Sequence, residues 1–315
     1  MIDVVALGEL LIDFAEKSVD DAGYPTMAAN PGGAPGNFLA ALNAYGWKTA
    51  FLGKVGSDTF GQQLLSTLNR AGIETKGILV DDSVFTTLAF VTFDKAGDRS
   101  FAFARKPGAD TQIRWEELDK GLIDEAKVFH FGTLSLTDDP ARTATQKAVA
   151  YAKEKGKLIS CDPNLRLPLW KTEEAAKEQM LWSLHQADVV KISDNEVEFL
   201  WNCTPEEGAD KLLKEFDVGL AMVTLGPDGC LLKTKDAAFR AKCPKVHPVD
   251  TTGAGDIFGS AMSRLLSLNQ PIAELTERDL AYIGTFAAAA ASLSTEHSGG
   301  IPSIPARDTV LEAIS

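Results

Sequence analysis

What most limits the folds open to this chain is its rhythm. Short runs rich in β-branched and aromatic residues alternate with segments of helical period over most of the length. VVALG at 4–8 precedes a helical signal at NFLAALNAYG, TAFLGKVG precedes FGQQLLSTLNRAG, and AKVFHFG precedes ARTATQKAVAYAKEKG. KLISCDPN, ADVVKIS and GLAMVTLG each end in a loop and are mostly followed by another helical stretch. Such alternation predicts an α/β fold with a mainly parallel central sheet flanked by helices on both faces. Ligands in these folds collect at the C-terminal ends of the strands, where the loops gather.

Two regions break the rhythm. LLIDFAEK with the nearby YPTMAAN, and FTTLAFVTF with DRSFAFAR across an AGD turn, read as short antiparallel strands. Their common character predicts one small β-sheet lid over the site, built from discontinuous segments at about 10–31 and 84–107. A chain of 315 residues suits one large domain spanning 1–315 with such a piece appended.

Charge and cysteine usage exclude several classes of partner. The formal charge is −13 and the isoelectric point near 4.8, with no basic stripe to offset the acidity, so no nucleic-acid partner is expected. The opening stretch MIDVVALGELLIDFAEK has no basic leader and is interrupted by Asp3, Glu9 and Asp13. It reads as neither signal peptide nor anchor, and FAAAAASL at 286–293 is too short to span a bilayer. No membrane association and a cytoplasmic location are expected. Cys161, Cys203, Cys230 and Cys243 form no CxxC pair and His130, His185, His247 and His297 are scattered, which predicts buried free thiols rather than a zinc site.

Two glycine-rich stretches carry the chemistry. In VDTTGAGDIF at 249–258, Gly253, Ala254 and Gly255 stand between Asp250 and Asp256. Phe258, Ala261, Met262, Leu265 and Leu266 then repeat at helical spacing, which predicts a valine-led strand, a tight turn and a helix. An ordinary capped helix start would explain the stretch. So would an anion hole, since the first amides of a helix are unpaired, glycines let a bulky anion approach, and Asp256 could take a proton from an attacking hydroxyl. The second stretch, NPGGAPGN at 30–37, sets Gly32, Gly33 and Gly36 before a helix with Asn37 in its first turn, suited to a polar small molecule or to a structural turn. The chain has no GxxxxGK[ST], and the loop after its first strand, GELLID, lacks GxGxxG.

PGGAPGN near the start and DTTGAGD near the end together resemble the two signatures of the ribokinase-like (pfkB) sugar kinase family. GELLIDF, FLGKVGSDTFG, SFAFARKPGAD, FHFGTLSLTD, DPNLRLPLW and KISDNEVEFL resemble its fructokinase branch, in order and over nearly the whole chain. The resemblance implies a ribokinase-like three-layer fold and an ATP-dependent fructokinase. Asp256 would be the base on the sugar 6-hydroxyl, with the Gly253–Asp256 backbone, Ala254 and Gly255 included, as anion hole. Asp13 matches the aspartate that binds sugar hydroxyls, with Gly32, Gly33 and Asn37 beside it. Arg105, Asn164 and Arg166 match positions facing the sugar or the transferred phosphate.

The same resemblance places ATP against Thr224, Gly226 and Gly229 of VTLGPDGC and against Lys191 at a strand end. Asn195 and Glu198 of NEVE match the element that organises Mg²⁺ through water. Asp250, Thr252, Ser294, Gly299 and Ser303 correspond to a potassium site bracing the anion-hole turn. Ala288 departs from relatives with Asn there, which leaves adenine contacts unassigned. Alternative acceptors on the same fold are aminoimidazole riboside and 2-keto-3-deoxygluconate, and a different class is a non-catalytic fructokinase-like partner protein. Lid sheets in the family often pair between subunits, and an open edge at TLAFVTF would favour a homodimer.

Overall fold

Strands buried on both faces need continuous apolar runs, and this chain supplies them. VVAL and TAFLGKVG are buried at every position. The computed structural model describes residues 1–93 and 99–315. Its strands are β1 (Val4–Leu7), β2 (Leu11–Val19), β3 (Pro25–Gly32), β4 (Thr49–Gly56), β5 (Ile78–Asp81), β6 (Thr87–Phe93) and β7 (Arg99–Ala104). They continue as β8 (Val128–Gly132), β9 (Leu158–Asp162), β10 (Val189–Ser193), β11 (Leu220–Thr224), β12 (Cys230–Lys233) and β13 (Ala238–Ala241). The large sheet has the order β13-β12-β11-β10-β9-β8-β1-β4-β5, and every pairing from β11 to β5 is parallel. Only the hairpin edge β11-β12-β13 is antiparallel, so the expected rhythm ends at Thr224.

Helices cover both faces of this sheet and close two cores. Val5, Leu7, Phe129, Phe131 and Ile159 belong to one core, while Val4, Ala6, Phe38, Phe51 and Met222 belong to the other. Each large side chain buried there contributes roughly 1.5–3 kcal/mol. Local signals set the helix starts: Asp58 accepts the amides of Phe60 and Gly61, and Ser193 and Glu196 form a capping box. Strand order reverses at β1, from which the chain first builds outward through β4 and β5 and then returns to β8 on the other side. The crevice beyond the C-terminal ends of β1 and β8 is the place such a sheet offers a ligand.

The four remaining strands form the separate small sheet, ordered β3-β2-β6-β7. The two antiparallel pairs expected from sequence are present, and they join through a parallel β2–β6 pairing. TLAFVTF is β6, an interior strand; the edges are β3 and β7, which removes the open edge expected there. The AGD turn lies outside the described residues. Two further expectations fail. Val249 ends no strand but lies 72% exposed in an extended loop, tied by its amide to the Thr295 carbonyl. The helix expected after DTTGAGD is two, Ala254–Phe258 and Ala261–Leu268, because Gly259, Ser260, Met262 and Ser263 donate to carbonyls three residues back and tighten the chain between them.

Candidate active site

Asp256 lies in the first turn of Ala254–Phe258, and both its carboxylate oxygens are held. Asn37 Nδ2 donates to Oδ2 at 2.8 Å and Asn164 Nδ2 donates to Oδ1 at 3.3 Å. Each asparagine is placed by a special backbone. Asn37 follows Gly33, whose φ of 112° brings the start of helix Ala34–Ala44 against the loop after β1: a β-carbon there would lie 2.5 Å from the Glu9 carbonyl oxygen. Asn164 itself has φ 50°, a left-handed conformation that asparagine tolerates, just beyond β9. Asn37, expected beside the sugar, therefore also holds the Asp256 carboxylate.

The turn before Asp256 is built for close approach. Gly253 has φ 78°, and a β-carbon on it would meet Gly300 Cα at 2.8 Å. Ala254 donates weakly to the Thr251 carbonyl at 3.3 Å, whereas the amides of Gly255 and Asp256 have no partner among the described residues. With Gly253, whose amide likewise has no partner among the described residues, they leave three open donors along the span from Gly253 to Asp256. Asp250 staples the turn. Its Oδ1 accepts from Thr252 N and Oγ1 at 2.9 and 2.6 Å, and its Oδ2 accepts from Gly299 N at 3.0 Å. Ser294 and Ser303 flank the Gly299 loop in sequence and are buried, with hydroxyls donating to the carbonyls of Ala291 and Gly300.

Across the cleft, Asp13 sits on β2 opposite Asn30, and its carboxylate overlies Gly32, where a β-carbon would crowd against Oδ2. Burial pushes the Asp13 carboxyl up to about 6; Arg166 pulls it down, while Asp256 and Asp250 push it further up. Asp13, Arg166 and Asp256 therefore share one field. Arg166 is exposed, with one terminal nitrogen on the Leu165 carbonyl at 3.0 Å.

Three predicted residues have different surroundings from those expected. Arg105 is buried, and its nitrogens are committed to Asp110, to Thr137 Oγ1 and to the Leu134 carbonyl. Lys191 is buried at β10, donates to Asp162 Oδ2 at 2.9 Å and lies under Gly255. Gly229 owes its place to packing, since a β-carbon would run into the Ala241 carbonyl oxygen. Thr224 is half-buried at the end of β11, and Gly226 is exposed with φ 56°. Asn195 and Glu198 are exposed, and Ala288 is buried in the core. Cys161 and Cys230 are buried and free, while Cys203 and Cys243 are half-buried.

Sequence reading passed over four buried acids that shape the site. Glu9 accepts the Ala34 amide at 2.9 Å at the start of the helix bearing Asn37, and burial pushes its carboxyl up to about 7. Asp110 pairs with Arg105, and Asp162 with Lys191. Glu196 accepts the Leu165 amide at 2.7 Å and so fixes the Asn164 loop. A buried acid leaves no mark on periodicity, and only its partners reveal it.

A carboxylate oriented by two amides, beside three open backbone donors and facing a second carboxylate, defines a phosphotransferase centre with a hydroxyl acceptor. The chain belongs to the pfkB family carbohydrate kinases, whose family model matches residues 1–307. It is 42% identical to a fructokinase of Solanum lycopersicum over 98% of this chain and 94% of the relative. Its fold superposes with a TM-score of 0.88 on the ATP-bound fructokinase of Xylella fastidiosa, 28% identical, covering 100% and 98% of the two chains. A double-mutant fructokinase of Vibrio cholerae, bound to fructose, ADP and a potassium ion, gives 0.88 at 28% identity over 100% and 99%. Among the described residues no helix is long and apolar enough to cross a membrane.

Proposed function

We propose that this protein is an ATP-dependent fructokinase that transfers the γ-phosphoryl group to the 6-hydroxyl of D-fructose, giving fructose 6-phosphate and ADP. The observation that carries the reading is the doubly held Asp256 beside the open amides of Gly255 and Asp256. Asp256 takes the proton of the sugar hydroxyl as its oxygen attacks phosphorus in line. The bond from phosphorus to the β,γ-bridging oxygen breaks, and the electron pair leaves with ADP. Protein and substrate need only be positioned and the charge on the transferred group stabilised. The open amides of Gly253, Gly255 and Asp256 would meet that charge. Asp13 accepts two sugar hydroxyls, Asn37 and Asn164 keep the base aimed, and Arg166 faces the same space.

Thr224 and Gly226 would border the nucleotide. Exposed Asn195 and Glu198 suit Mg²⁺ held through water, and the hard oxygen donors around Asp250, Thr252, Ser294, Gly299 and Ser303 suit K⁺. When bound, the divalent ion neutralises phosphate charge and the monovalent ion braces the turn. The small sheet, described by segments 11–32 and 87–104, would act as the lid that excludes water as acceptor. Its free edges, β3 and β7, are where a homodimer would pair. A cytoplasmic location belongs to the same proposal, and fractionation checks it.

The test is ADP release from Mg-ATP in potassium buffer with D-fructose, ribose, aminoimidazole riboside, 2-keto-3-deoxygluconate or no sugar. Strong, selective turnover on fructose is expected. Preference for another acceptor would move the substrate and keep the Asp256 chemistry, and silence on all would leave a non-catalytic partner.

A further inference from the structure

Lys191 and Asp162 form a buried ion pair directly behind the transfer turn. Each is 9% exposed or less, and the Nζ–Oδ2 distance is 2.9 Å. A β-carbon on Gly255 would lie 3.2 Å from Lys191 Nζ, so the ammonium is packed against one of the three residues with open amides. Lys191, Asp162 and Asp256 line one cavity of about 20 Å³ with His130 and Ser160, room for roughly one water molecule. Burying such a pair costs desolvation that its attraction barely offsets, and apolar residues of like volume usually stabilise as well or better. Stability alone gives no reason for a lysine there. Burial opposes the charge on Lys191, but Asp162, Glu196 and Asp256 together outweigh burial and hold the ammonium above its ordinary value.

We infer that the Lys191–Asp162 pair is the positioning unit of the transfer turn, its ammonium fixing Gly255 from behind and adding positive charge beneath the open amides of the turn. Lys191 touches neither substrate nor nucleotide in this role, and Asp162 aims it. The inference rests on the kinase reading above and deepens it. It also gives Gly255 a reason of its own, because a β-carbon there would press on the ammonium and shift it by a few tenths of an ångström.

The experiment compares wild type with Lys191→Met, Lys191→Ala and Asp162→Asn in full-length protein, measuring kcat, KM for sugar and ATP, melting temperature and sugar affinity by calorimetry. For Lys191→Met, kcat is expected to fall about 10- to 100-fold, somewhat less than loss of a direct donor, with KM for sugar nearly unchanged. In Lys191→Ala, methylammonium or ethylammonium is expected to restore part of kcat while tetramethylammonium does not. A folded Lys191→Met with unchanged kcat overturns the inference, as does a loss that merely tracks the folded fraction and that no amine restores. Should the single variants not fold, the charge-free double variant Lys191→Met/Asp162→Leu is measured, and wild-type kcat in that protein overturns the inference. Wild type inactive on every acceptor removes the kinase reading and this inference together, whereas active wild type with equally active variants removes this inference alone.

Discussion

Asn37 donates to Asp256 at 2.8 Å, joining residues 219 positions apart in the chain. This one bond ties the glycine loop near the start to the turn near the end and aims the proposed base. Removing the donor leaves the carboxylate with Asn164 alone, at a longer 3.3 Å. Asn37→Ala is expected to lower kcat by about 10- to 100-fold through lost orientation. Steady-state kinetics checks it, and an unchanged kcat would separate Asn37 from the base.

Asp256→Ala removes the base itself. Turnover is expected to fall by about 10² to 10⁴ at least, while sugar binding measured by calorimetry survives. A variant that keeps its rate would take Asp256 out of the mechanism.

Asp13 gives a pH signature. Burial lifts its carboxyl to about 6, and in its proposed role the ionised form is the stronger acceptor because both oxygens can then take a sugar hydroxyl. Sugar affinity is expected to weaken about tenfold for each pH unit below about 6. The sign for folding is opposite. The folded protein holds this proton more tightly than the unfolded chain, so that contribution to stability is complete below about 3.8 and lost as pH rises through about 6. Asp13→Asn should bind sugar weakly at all pH values, and a titration of affinity with the wild-type slope in that variant would assign the group elsewhere.

The two arginines should separate cleanly. Arg105→Met leaves Asp110 buried without its partner, and a loss of about 3–5 kcal/mol in stability is expected. Arg166→Ala removes an exposed side chain, so melting should hardly move while KM for the sugar rises. Thermal denaturation and kinetics on both variants read the contrast; equal melting temperatures would contradict the buried pair.

Gly253→Ala imposes a β-carbon at φ 78° and 2.8 Å from Gly300 Cα. Strain of about 1–3 kcal/mol is expected from the backbone alone, with a lower melting temperature and a slower enzyme. A variant as stable as wild type would show that the turn relaxes freely.

The large sheet is legible in the sequence because its interior strands are almost continuously apolar, and the small sheet because its segments alternate differently. The proposed base is legible from DTTGAGD, as is Asp13 from GELLIDF. What escapes is determined by partners distant in sequence. Arg105 and Lys191 read as sugar or phosphate contacts, and their ion pairs escape because Asp110 and Asp162 meet them only in the fold. TLAFVTF reads as an edge because nothing in it announces that β2 and β7 flank it. The break at Gly259 escapes because Phe38 is its neighbour: a β-carbon at Gly259 would lie 2.5 Å from that ring, so the chain bends around a residue of another helix.

The meeting of Asn37 with the Gly253 turn also bears on how the protein is made. A nascent chain that has emerged through β11 already carries every parallel strand and the glycine loop of Gly32 and Gly33, yet it lacks the proposed base. The proposed site is complete only when the stretch bearing Asp256 docks onto the first helix, a closure of long sequence separation and hence a late event in folding. Premature termination before Asp256 would therefore yield fragments with much of the scaffold and without the proposed catalytic carboxylate.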